Sequence, residues 1–272
     1  MASIVGGFCM PHDPLITGAT EAADPEQASH ILAAFGDVRR AVAALRADTV
    51  IVIGDDHYAM FGPHCLPSLL IAIGDLEGPI EPWLRIPRRA VPNNSPLAEH
   101  IMNFGFERGF DWAVAKTLSL DHATMVPTHL AAPEGIRIIP IYLAAGVPPL
   151  IRPRRCHELG RMLRDAIAAW PRDERVVIFG TGGISHWVGT AEMGKVNPEF
   201  DRRILGLVER GDVESLVGLS DDEVLSQGGN GALEIRNWIV AMAAMPGCKG
   251  RVLAYEPVPA WITGLGFAEL VA

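Results

Sequence analysis

The residues best suited to chemistry in this sequence are three histidines and one glutamate. His12, His57 and His186 each follow a short apolar run, at Ala2 to Val5, Thr49 to Ile53 and Val176 to Phe179 in turn. If those runs are strands of an open α/β sheet, all three histidines lie on loops leaving strand ends, which is where such sheets bind ligands. Taken singly, each histidine reads as a satisfied structural residue; three in one topological position point to a site. Glu234 supplies an anion. It lies near the start of a helical pattern from about Gly231 to Met245, in which Trp238, Ala241 and Met245 share its face. The flank formed by Ile235, Ile239 and Met242 is also apolar, so the helix is expected to be buried with Glu234 pointing inward. One reading makes Glu234 a charge that favours the helix N-terminus. The other has it coordinate a cation together with two histidines, which compensates a buried carboxylate for its lost hydration. Two histidines and a carboxylate describe the facial triad of non-haem Fe(II) oxygenases, and the same set can hold catalytic zinc.

The elements that must position these groups are legible from periodicity. Thr49 to Ile53, Leu69 to Ile73, Ile136 to Leu143 and Val176 to Phe179 read as buried strands. Asp24-Pro25, Ser95-Pro96 and Asn197-Pro198-Glu199 read as helix starts, and Ser220 to Glu223 as a capping box. Strands alternating with helices predict one α/β domain, with a central, mostly parallel or mixed sheet flanked by helices on both faces. The Pro/Asn-rich stretch Pro87 to Pro96 is the best candidate for a long functional loop, an ordinary surface excursion being the alternative.

Composition narrows the classes. The chain has 272 residues, 49% of them hydrophobic, and a formal charge of -9, which argues against a general binder of nucleic acid. Basic runs such as Arg152-Pro153-Arg154-Arg155 are short and read as solvated helix starts. Cys9, Cys65, Cys156 and Cys248 form no CxxC pair and are too sparse to staple the chain. A reduced, cytoplasmic setting with no membrane association is expected, since no secretory leader or long apolar span is evident. Neither HExxH nor GxSxG occurs, and Gly180-Thr181-Gly182-Gly183 lacks a full GxGxxG or a Walker lysine. His30, His100 and His157 fall in helical patterns, and no role is assigned to His64 or His129.

Taken in order, several motifs resemble the class III extradiol ring-cleavage dioxygenases over nearly the whole chain, most closely the protocatechuate 4,5-dioxygenase β subunit. They are His12 followed by Pro14, Gly54-Asp55-Asp56-His57, Asp121 to Pro127, Gly180 to His186, Asn197 to Asp201, and Gly231 to Glu234 leading into Trp238. The GTGG-x-SH piece is the most specific. This resemblance implies a catalytic domain spanning 1–272, with His12, His57 and Glu234 as ligands of Fe(II). It makes His186 the acid-base histidine beside the O2 site and His122 a second active-site histidine. It further implies a small aromatic substrate and O2 as partners, in a homo-oligomer that some relatives supplement with a small separate α subunit. One departure stands out: Ala123 follows the Asp-His pair where the family usually has glycine, so its methyl is expected to tighten the turn or trim the pocket.

The expected reaction opens the ring of a catecholic acid, an aminophenol or a dihydroxylated N-heterocycle. Three protein ligands leave about half of an octahedral shell for two substrate oxygens and O2. His186 would accept a proton and His122 donate one or hydrogen-bond the substrate, with Asp121 either orienting His122 or standing as a solvated loop aspartate. Two rival readings stand beside it: a non-catalytic metal-binding or interaction protein on the same scaffold, and a zinc-dependent hydrolase.

Overall fold

Why the strands read as unbroken apolar runs becomes clear from their position. In the computed structural model, which describes residues 1–271, four parallel strands form the centre of one sheet. They are β1 (Ser3–Met10), β2 (Thr49–Asp55), β6 (Arg137–Leu143) and β7 (Arg175–Thr181). Along β2, Val50 and Val52 pack into the apolar layer on one face, and Ile51 and Ile53 into the layer on the other. Both faces are therefore dry, and alternation disappears from the sequence.

The remaining strands extend this centre on both sides. β3 (Leu69–Gly78) runs antiparallel to β6, pairs in parallel with β5 (Ala113–Ser119) and carries the short β4 (Arg89–Val91). At the other edge the hairpin β8 (Lys249–Val258) and β9 (Thr263–Val271) adds antiparallel to β1. The nine-stranded mixed sheet has the order β4-β3-β6-β2-β7-β1-β9-β8, with β5 on β3.

Helices cover both faces, as the alternation of elements predicts. One layer holds α2 (Pro25–Ala44), which contributes Ile31, Phe35 and Val38, and α4 (His122–Ala131). The other holds α3 (Ser95–Phe106), α5 (Pro153–Ala168), α6 (Pro198–Arg210) and α9 (Ile235–Ala244). Each fully buried Val, Leu or Ile in these layers contributes about 1.5–3 kcal/mol. Short helices complete the chain: α1 (Leu15–Gly18), α7 (Val213–Gly218) and α8 (Asp221–Gly228). The caps follow the sequence signals, Asp24 accepting from the N–H groups of Glu26 and Gln27 and Asn197 from those of Glu199 and Phe200. Ser220 accepts from the Glu223 N–H, but the Glu223 side chain turns to Arg203, so only half of the expected capping box forms.

Two expectations change. β3 continues five residues past Ile73, because β4 and β5 pair with its polar second half. The stretch Pro87 to Pro96 is not an open loop: it contains β4, and the Asn93 amide donates to the Ala72 and Gly74 carbonyls at 3.1 and 2.8 Å. No described helix is long and apolar enough to cross a membrane.

The two ends of the parallel strands differ in character. At the N-terminal end the buried carboxylate of Glu174 accepts from Thr49 Oγ1 (2.6 Å), Asn94 Nδ2 (2.7 Å) and Arg137 Nη2 (2.7 Å). Glu174 thereby ties the starts of β2 and β6 to α3. Replacing it strands the buried Thr49 and Asn94 donors, so Glu174→Ala should cost about 3 kcal/mol in urea denaturation and leave the histidines at the opposite end undisturbed.

Candidate metal centre and active-site cavity

The C-terminal ends of the same strands gather all five residues singled out by the sequence. His12 stands two residues after β1, His57 two after β2 and His186 five after β7, while His122 opens α4. Glu234 is the last residue of a 3-10 turn, Gly231–Glu234, that leads into α9. The expected helix from Gly231 thus starts as a tighter turn, with the Glu234 carboxylate over the ends of the central strands.

Distances define the cluster. Glu234 Oε1 lies 3.0 Å from His57 Nε2 and 3.5 Å from His186 Nε2, and Glu234 Oε2 lies 3.4 Å from His12 Nε2. The His12 and His57 rings stand edge to face with centroids 5.1 Å apart, and His122 is 4.4 Å from His57. Burial works against ionisation of Glu234, but the imidazoles of His12 and His186 outweigh it and hold the carboxyl well below its usual range. Burial likewise opposes a charge on His186, which Glu234 more than offsets, so its pKa is raised. The His57 pKa is raised well above normal, with Asp55, Asp121 and Glu234 overcoming desolvation.

Outer contacts fix each ring. The Thr181 hydroxyl lies 3.0 Å from His12 Nδ1 and also approaches the carbonyls of Ile53 and Ala123. With Nδ1 so engaged, His12 Nε2 faces Glu234 as a buried nitrogen without a hydrogen-bond partner. His186 Nδ1 donates to the Ile184 carbonyl at 3.3 Å, and Glu234 Oε2 accepts the Gly183 N–H at 2.8 Å. The loop that carries His186 is anchored from beneath by Asp201. This buried carboxylate accepts from the Ser185 N–H and hydroxyl and from Tyr255, and burial pushes it up to about 6.

Close packing explains the glycines of the motif. Gly182 has φ +144, and a Cβ there would lie 2.6 Å from Glu234 Cβ; one on Gly231 would lie 2.0 Å from His186 Nε2. Of the two effects expected of Ala123, trimming of the pocket does not occur. Its methyl lies under α4 against Gly54 and does not line the cavity.

Three participants were not visible in the sequence reading. Asp55, the last residue of β2, is fully buried: Oδ1 accepts from Asn237 Nδ2 at 2.7 Å, and the unpartnered Oδ2 lies 3.5 Å from His57 Nε2. Desolvation and the neighbouring Glu234 push Asp55 up to about 6. Asn237 also donates to the Thr181 carbonyl (2.8 Å) and so links α9 to two strand ends. Glu81 is the third. The reading that Asp121 orients His122 is corrected: His122 Nδ1 lies 2.6 Å from Glu81 Oε1, which also accepts the His122 N–H at 3.3 Å. Asp121 instead accepts from the Tyr142 hydroxyl and faces His57 Nδ1 across 3.9 Å. The signal for Asp55 was its place after four apolar β-branched residues; Glu81, 41 residues before His122 in a loop, gave none. His30, His100 and His157 lie on helices away from the cluster, as expected, and His64 and His129 are also outside it.

Donor atoms of His12, Asp55, His57 and Glu234 lie within 4.8 Å of one another. Two buried carboxylates and two imidazoles, with orphaned atoms on His12 and Asp55, form a donor set that fits a divalent cation. Beside it a cavity of about 160 Å³ is lined by these histidines, His122, His186 and a mostly apolar wall.

Known proteins resemble this chain over nearly its whole length. Residues 6–266 match the family described as the catalytic LigB subunit of aromatic ring-opening dioxygenase, and the chain belongs to that family. Curated relatives include the 2,3-dihydroxyphenylpropionate/2,3-dihydroxicinnamic acid 1,2-dioxygenase of Klebsiella pneumoniae (strain 342), 27% identical over 95% of this chain and 96% of the relative. An enzyme of the same name from a Rhodococcus species is 27% identical over 97% of each chain. Among solved structures, an uncharacterized Escherichia coli K12 protein covers 98% of this chain and 100% of its own with a TM-score of 0.60, a likeness of fold at 9% identity.

The crowding around Glu234 has a direct test. Gly182→Ala and Gly231→Ala should stay folded by circular dichroism but bind a divalent cation at least about tenfold more weakly in equilibrium dialysis, since each added methyl displaces a group of the cluster.

Proposed function

We propose that this member of the LigB family is a non-haem Fe(II)-dependent extradiol dioxygenase that opens a catechol-like ring with O2. The observation that carries the reading is the convergence of His12, His57 and Glu234 with His122 and His186 around one cavity at the C-terminal ends of the central strands. His12, His57 and Glu234 are the proposed iron ligands. The ligand types alone would also suit zinc; family membership favours ring-opening oxygen chemistry and hence iron. The whole chain acts as one catalytic domain in this proposal. Assembly into a homo-oligomer, with or without a small α subunit, belongs to the same reading.

When bound, Fe(II) would supply open positions for two adjacent substrate donors and O2 and would lower the pKa of a substrate hydroxyl. The chain's own residues supply the rest. Overall, one ring carbon–carbon bond beside the diol breaks and both oxygen atoms of O2 enter the product. Protons must therefore leave the hydroxyls and return to the opened ring. His186 Nε2 faces the cluster, while its Nδ1 is engaged by a backbone carbonyl, so Nε2 is the atom that accepts the hydroxyl proton. Glu81 holds His122 Nδ1, which directs the other ring nitrogen of His122 toward proton donation or a substrate hydrogen bond. The apolar wall limits the water that competes for these protons. Asp55, beside the three proposed ligands, and Asn237 hold β2 and α9 in register.

Two sets of variants separate the roles. His12→Ala, His57→Ala and Glu234→Ala should each lose iron by metal analysis while remaining folded; any one that keeps full iron and turnover overturns the triad. His186→Phe and His122→Phe should keep iron and lose about 10²- to 10⁴-fold in kcat, measured by O2 uptake. A ring with one hydroxyl and no adjacent donor should not be opened, because chelation is what makes the step effectively intramolecular.

A further inference from the structure

The wall of the cavity that is not histidine bears on which ring enters. Pro14, Leu15, Val188 and Ile262 provide its apolar part, and Asp13 and Thr263 its polar part. The polar pair is already satisfied: Thr263 Oγ1 donates to Asp13 Oδ2 at 2.5 Å, and Asp13 Oδ1 accepts the Leu15 N–H at 2.8 Å. No lysine or arginine is among the described residues that line the cavity. Lys195, the one basic residue on the segment after Val188, is bound to Glu192 at 2.8 Å and lies over the Trp187 ring.

We infer that the substrate is a single vicinally hydroxylated ring whose other substituents are small and uncharged, and that the cavity discriminates against a carboxylate on the ring. The inference rests on the dioxygenase reading and narrows it. A cavity of about 160 Å³ lies below the roughly 300–1,000 Å³ typical of drug-sized ligands and suits one ring. A carboxylate on the ring, away from the hydroxyls that face the proposed iron, would lose hydration and meet Asp13 with no lysine or arginine in reach. His122 and His186 offer it little, because each has one ring nitrogen engaged by Glu81 or Ile184, and the other is needed for the substrate's own protons. Apolar substituents, in contrast, exchange water for Leu15, Val188 and Ile262.

Two of these wall positions are held in place by the backbone. Ile262 adopts a left-handed conformation (φ 55) at the turn before β9, a conformation disfavoured for a β-branched residue and found where surroundings impose it. Val188 is clamped by Asn230, whose side chain accepts from the Val188 N–H (2.9 Å) and donates to its carbonyl (3.0 Å). Its side chain is 42% exposed, so Val188 stands at the mouth, where a cation can be introduced without disturbing the core.

The test uses matched pairs that differ only in charge: 3,4-dihydroxybenzoate and its methyl ester, and 2,3-dihydroxybenzoate and its methyl ester. Binding to the Fe(II)-loaded protein is measured by calorimetry under argon, and opening by O2 uptake. The esters should bind at least about tenfold more tightly than the acids and show the higher kcat/KM. Val188→Arg should narrow or reverse that ratio by bringing a counter-charge to the mouth. Acids binding as tightly as esters, or an unchanged ratio in Val188→Arg, would overturn the inference while leaving the dioxygenase reading intact. If no member of either pair binds or is opened, the catechol reading itself falls, and this inference falls with it.

Discussion

Burying the carboxylate of Glu234 at the C-terminal ends of the central strands is the constraint to which the neighbouring structure answers. A lone carboxylate there would be too costly to keep ionised. Three imidazoles therefore converge on it, a backbone N–H from the glycine turn caps one oxygen, and the 3-10 entry to α9 sets its height. Asp55 adds a second anion to the same spot, which strengthens the demand for positive charge between them. The chemistry attributed to the site grows from that unbalanced charge.

The sheet divides the labour by direction. At the starts of the strands, Glu174 closes a polar network that only holds elements together. At their ends, loops of different length carry His12, His57 and His186 to one point. Since both layers of side chains are apolar and continuous, the loops can be spent on function while stability comes from the layers beneath. Tyr255 reaches from the β8–β9 hairpin to Asp201 under the His186 loop, so the far edge of the sheet also bears on the site.

The sequence made the central strands, the main helix caps, His12, His57, His186 and Glu234 legible, because each leaves a local mark: a β-branched run, a capping residue before proline, a histidine just past a strand, a carboxylate in an apolar helix; His122 came only from the family resemblance. What it hid was pairwise. Glu81 meets His122 across 41 residues through a loop with no periodicity, and Asp121, adjacent in sequence to His122, turns instead to Tyr142 and His57. Ala123, expected from the motif to tighten the turn or trim the pocket, packs its methyl against Gly54 and outside the cavity lining. The β8–β9 hairpin went unread because β8 is half-exposed and carries Pro257, while the buried β9 has its apolar run interrupted by Gly264 and Gly266.

Arg236 lies two residues past Glu234 and is almost wholly buried, with Nε donating to the Ile151 carbonyl (2.8 Å), Nη1 to the Leu233 carbonyl (3.1 Å) and Nη2 to Asp221 (2.5 Å). The turn that carries Glu234 is thus bolted to α8 and to the loop before α5 by the protein alone. Donors held this way owe their arrangement to the polypeptide, unlike a zinc finger, whose fold is made by its ion. A cation bound by such donors could then be taken by a chelator and leave an emptied seat in standing masonry, to be filled again without refolding.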